Sequence, residues 1–94
     1  LINVIKISDL NPQDAVEREL ILIKVAAKPA VRAEIVEIAD IFRAKIIDVG
    51  QNSITIEATG TVDKIQAITD LLRPYGIREL ARTGKIALIR GAKE

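Results

Sequence analysis

The stretch Val16-Glu-Arg-Glu-Leu-Ile-Leu-Ile-Lys-Val-Ala26 decides the fold of this chain. Its flanks alternate charged and apolar residues, as a strand with one solvated face does, whereas Leu20-Ile21-Leu22-Ile23 is apolar in both registers. A strand apolar on both faces belongs in the middle of a sheet. The residues that follow supply its partners. Pro29 fits the first turn of a helix, and Val31, Ile35, Ile38, Ala39 and Phe42 then recur at helical spacing between Arg32, Glu34, Glu37, Asp40 and Arg43. Lys45–Val49 and Ser53–Thr59 are β-branched or alternating runs separated by Gly50-Gln51-Asn52, which reads as a hairpin. Thr61 is an N-cap candidate with Asp63 in the first turn, where a carboxylate meets the positive end of the helix dipole. Val62, Ile65, Ile68 and Leu72 form a second amphipathic stripe, which Pro74 and Gly76 end. Lys85–Arg90 reads as the last strand, and Ile77–Arg82 either belongs to it or forms a separate turn.

The order strand, helix, strand, strand, helix, strand predicts an α+β, ferredoxin-like βαββαβ sandwich: an antiparallel four-stranded sheet with two helices on one face. Its two similar halves meet at Gly50-Gln51-Asn52. Leu20–Ile23 then send apolar side chains to the uncovered face as well, so that face is expected to be apolar and covered by another copy or another domain. Upstream, Leu1–Ile7 is β-rich, and Ser8-Asp9-Leu10-Asn11-Pro12 punctuates it with turn formers, Asn11 as a cap and Pro12 behind it. The expected organisation is an extra N-terminal strand and linker over residues 1–15 and the domain over 16–94. A chain that starts inside a strand reads as a piece of a longer protein. Its first strand is expected to add to a sheet edge of this or a neighbouring copy, or to stay disordered.

Ninety-four residues bound the chain to one domain. The absence of cysteine removes thiolate chemistry and disulfides and fits a reducing compartment; the absence of histidine removes the commonest metal ligand and neutral-pH base. No apolar run approaches the length of a membrane span. From Arg73 onward six Lys/Arg face two Asp/Glu, and the first 72 residues hold eight against eleven, so the formal +1 divides into +4 and −3. Such a split marks either a face that meets an anionic group or acidic protein surface, or an ordinary solvated strand.

Gly84-Lys85 is not a phosphate loop, because the preceding glycine, Gly76, stands eight residues before it and Ile86 replaces the hydroxyl residue that would hold a cation. Arg78, Arg82 and Lys85 either grip a carboxylate or phosphate or snorkel from a strand edge. Glu17 and Glu19 point the same way from one strand, and with no nucleophile nearby they read as a solvated edge that discourages wrong pairing. Basic residues without interleaved aromatics fit nucleic acid poorly, and Asn52-Ser53-Ile54 is no glycosylation acceptor.

Three segments carry a resemblance: Asn3-Val-Ile-Lys-Ile-Ser-Asp-Leu10; Val16-Glu-Arg-Glu-Leu-Ile-Leu-Ile-Lys-Val25 with Arg32-Ala-Glu-Ile-Val-Glu-Ile38; and Gly76-Ile-Arg-Glu-Leu-Ala-Arg-Thr-Gly-Lys-Ile-Ala-Leu88. In this order they resemble the regulatory (small) subunit of acetolactate synthase, or acetohydroxyacid synthase, from the end of its ACT domain through its C-terminal domain. The resemblance implies a non-catalytic partner that activates the large subunit and transmits feedback inhibition by branched-chain amino acids in valine, leucine and isoleucine synthesis. Thiamine diphosphate, Mg²⁺ and FAD would then belong to the large subunit, with no cofactor in this chain. The small subunit would be a homodimer, its effector held between ACT domains of which this sequence carries only the last strand. Cytoplasm is the implied location, or plastid or mitochondrion in a eukaryote. Arg78, Glu79, Arg82, Thr83 and Lys85 are the candidate partner-contact residues. The alternative is a stand-alone ferredoxin-like sensor of a small molecule such as an amino acid.

Overall fold

The computed structural model describes residues 13–93, and the expected Leu1–Ile7 strand and Asn11 cap lie outside them. Strand β1 (Ala15–Ala26) is followed by a 3-10 turn at Pro29–Val31, helix α1 (Arg32–Ile41) and the hairpin β2 (Lys45–Val49) and β3 (Ser53–Gly60). Helix α2 (Val62–Leu72) leads through a 3-10 turn at Arg73–Tyr75 to β4 (Ile77–Arg82), β5 (Ile86–Ile89) and a last 3-10 turn at Gly91–Lys93. The sheet order is β2-β3-β1-β4, all antiparallel, with β5 also paired to β1. This is the expected ferredoxin-like α+β fold with one correction. The fourth strand of the sandwich is Ile77–Arg82, and the segment expected in that place is a fifth strand.

Residues opposite each other across an antiparallel pair share a face. Ile21, Ile23 and Val25 of β1 and Ile54, Ile56 and Ala58 of β3 therefore point to one side, where Ile35 and Ala39 of α1 and Ile65, Ile68 and Leu72 of α2 meet them. This helix-side layer is a core of aliphatic side chains, each at most 2% exposed. The buried Thr69 hydroxyl donates to the Ile65 carbonyl at 2.7 Å, so α2 leaves no orphan there. As expected, Thr61 caps α2, its hydroxyl accepting from Lys64 N at 3.3 Å.

Two local devices set the ends of α1. At its start the Arg32 guanidinium donates to the carbonyls of Ala27 (3.1 Å), Gly50 (2.6 Å) and Gln51, tying the β2–β3 turn to the end of β1. The Ala27 N–H completes the tie by donating to Asn52 O at 2.8 Å. At its end Arg43 adopts φ 55°, with Arg43 N donating to Asp40 O (3.0 Å) and Ala44 N to Ala39 O (2.8 Å), the paired bonds of a Schellman cap. A side chain in the left-handed region costs about 1 kcal/mol. Arg43→Gly is therefore expected to stabilise the domain by up to about 1 kcal/mol, a rise of roughly 4–8 °C in Tm for a domain of this size. Thermal melts would check this, and an unchanged or lower Tm would refute it.

Candidate partner-binding surface

β4 and β5 lie in line along one edge of β1, the first opposite Ile21–Val25 and the second opposite Ala15–Arg18. Thr83-Gly84-Lys85 spans the gap. Thr83 N donates to Leu20 O at 3.0 Å, and Leu20 N donates to Thr83 Oγ1 at 3.0 Å, so a side chain continues the ladder where the backbone steps away. Gly84 takes φ 77°, which disfavours any residue with a Cβ, and the step depends on it.

This alignment commits most of the candidate contact residues within the chain. Arg82 forks onto Glu19, Nε to Oε1 at 2.5 Å and Nη2 to Oε2 at 3.0 Å. Glu79 pairs with Lys24 at 3.0 Å and Lys85 approaches Glu17 at 3.8 Å. Thr83 is occupied by Leu20. Arg78 is exposed and, among the described residues, has no ion-pair partner. Of the six cations in the last quarter, antiparallel pairing brings carboxylates of β1 beside two, Arg82 and Lys85.

Two further expectations change. Glu17 and Glu19 do point the same way, but they are not a solvated edge: Glu19 is 3% exposed on the helix side, and each has a cation from β4 or the step that follows it. The Arg82 hydrogen bond holds the Glu19 carboxyl below the usual carboxylate range, burial opposes this, and the charges of Arg82 and Lys85 add to the lowering. The guanidinium of Arg82 is in turn held above its ordinary value by the same bond.

The uncovered sheet face is not uniformly apolar either. Around Leu22 it carries Lys24, Asp48, Thr55, Glu79 and Ala81, which line a trough, and Lys45 faces Glu57 beside it. The Lys24–Glu79 pair in that trough is solvated and is worth about 0–1 kcal/mol. Where β1 and β5 run as a two-stranded ribbon, exposed aliphatic side chains stand together: Val16 is 39%, Ile86 64% and Leu88 72% exposed. Ile86-Ala-Leu-Ile89 is a continuous apolar run in the sequence, and only the β1–β5 register sets Ile86 and Leu88 beside Val16 and Arg18. Arg32 had no such signal; its role rests on a turn brought in from eighteen residues away. Among the described residues no group of three His, Cys, Asp or Glu could hold a metal ion, and no helix is long and apolar enough to cross a membrane.

A family model described as the small subunit of acetolactate synthase matches residues 18–91. The chain is 55% identical over 94 residues to a protein of Archaeoglobus fulgidus named probable acetolactate synthase small subunit, covering 100% of this chain and 58% of that one. It is 56% identical over 90 residues to the chloroplastic acetolactate synthase small subunit 2 of Arabidopsis thaliana, covering 96% of this chain and 19% of that one. The crystal structure of the acetolactate synthase small subunit from Thermotoga maritima superposes with a TM-score of 0.81 at 43% identity, over 87% of this chain and 50% of that chain. The chain spans about half the length of its prokaryotic relatives and about a fifth of the plant ones. These matches leave the stand-alone sensor without support. The chain belongs to the family of acetolactate synthase small subunits.

Proposed function

We propose that this chain is the C-terminal part of a regulatory subunit, which binds and activates the catalytic large subunit of acetolactate synthase and supports its feedback control by branched-chain amino acids. The observation that carries this reading is the match of residues 18–91 to the family, with identity near one half along the chain. The chain itself performs no catalysis in this scheme; thiamine diphosphate, Mg²⁺ and FAD act on the large subunit. Residues 1–15 are the end of an ACT domain and its linker, the effector binds the rest of that domain, and the regulatory subunit works as a homodimer. Regulation is a shift between two arrangements of the complex, one of which the effector prefers. The protein acts in the cytoplasm, or in the plastid of a plant. Of the five candidate contact residues Arg78 presents an uncommitted cation, while Glu79, Arg82, Thr83 and Lys85 hold the surface in shape.

Adding the chain to purified large subunit tests this. Acetolactate formation is expected to rise with chain concentration and to saturate, with a complex visible by sedimentation. Absence of both a complex and any change in rate would overturn the reading.

A further inference from the structure

The geometry points to the β1–β5 ribbon as the docking surface for a protein segment that is apolar and carries a carboxylate. Resting on the reading above, that segment belongs to the catalytic subunit. Val16 pairs with Leu88 and Arg18 with Ile86 in register, so these four side chains stand on one face, over an open depression that they line with Ala87. The opposite face of the ribbon differs: there Ala15 is buried and Glu17 approaches Lys85. A two-stranded ribbon is marginal in water unless one face is covered. Ile86 and Leu88, each about two-thirds exposed, are the most exposed large aliphatic side chains of the ribbon.

Charge selects the occupant. Arg18 sits within the apolar patch; its guanidinium donates to the neighbouring Glu17 carbonyl at 2.6 Å, and among the described residues no carboxylate lies within ion-pair distance of it. A two-fold contact between copies centred on this patch would bring two Arg18 guanidiniums together with no carboxylate between them, and like charges so placed oppose association. A different chain with an Asp or Glu beside its apolar residues satisfies both halves of the patch. The charged half of the same sheet face, with Lys24 already paired to Glu79, has no such demand.

The test uses the chain as it stands, the large subunit, and the variants Leu88→Ser, Arg18→Glu and, on the charged half, Lys45→Ser. Amide spectra establish that each is folded. Wild type and Lys45→Ser are expected to bind alike, while Leu88→Ser and Arg18→Glu bind about tenfold or more weakly, the usual loss at a buried anchor. Arg18→Ala is expected to reduce the salt dependence of binding. Equal binding by all folded variants overturns the ribbon as the docking surface and leaves the regulatory reading intact. No binding by wild type overturns both. Two other results would also overturn the proposal. One is self-association of the wild type abolished by Leu88→Ser, which makes a second copy the occupant. The other is spectral change in residues 1–7 on Leu88→Ser without partner, which makes the chain's own leading segment the occupant.

Discussion

In Arg82→Ala the Glu19 carboxylate is left on the helix side of the sheet with no cation at hydrogen-bond distance, and the domain is expected to melt well below wild type at neutral pH. A buried charge whose partner is removed costs far more than the pair contributed, because its desolvation is no longer offset. The pH dependence identifies the cause. Glu19 has its folded pKa lowered, so its contribution is fully present above the unfolded carboxyl value of about 4.3 and is lost as pH falls through the folded value. In Arg82→Ala the lowering by the guanidinium is gone, and burial is opposed by the charge of Lys85 alone. The gap in Tm between wild type and variant should therefore be widest above about pH 5 and narrow in acid. Glu19→Leu combined with Arg82→Met should recover much of the loss, since apolar replacement of a whole pair is often neutral. Melts from pH 3 to 8 would measure this; a gap that stays constant with pH would show that Arg82 does not act through Glu19.

Arg32→Ala is expected to destabilise the domain by about 2–3 kcal/mol, the loss typical of charge-assisted bonds to groups that stay partly buried, and so to lower Tm by roughly 10–20 °C. The carbonyls of Ala27, Gly50 and Gln51 lose a shared donor, and the β2–β3 turn keeps only the Ala27 N–H bond to Asn52 O as its tie to the end of β1. Arg32→Lys should recover less than half, because an ammonium cannot reproduce the planar fork. Urea titration should show a lower midpoint at unchanged slope. A midpoint equal to wild type would mean that backbone pairing holds the turn without Arg32.

Most of the sandwich was legible because its signals are local. Helical spacing from Val31 to Phe42, Thr61 before an apolar run, and the alternation of Ser53–Thr59 each reflect which side of one element faces the core. The last quarter was harder for the opposite reason. Ile77–Arg82 and Ile86–Ile89 are both short strands, and only contact with the two ends of β1 decides that they are separate strands in line. The pairing of the candidate contact residues was hidden for the same cause: Arg82, Glu79 and Lys85 look like loose cations and an anion until antiparallel pairing places them against Glu19, Lys24 and Glu17. The left-handed Arg43 carried no warning, since the residue that announces such a cap is glycine.

The longest span of the molecule is 50 Å, against 25 and 18 Å across, and one uninterrupted strand accounts for most of it. Twelve residues of β1, about 40 Å of extended backbone, serve the sandwich at one end and the ribbon at the other. A lever that is a single strand from end to end delivers a twist applied at its tip toward its root. Whatever grips the tip therefore acts on the aliphatic interior through that strand, and the glycine at position 84, at φ 77°, sits at the step between its two edge partners.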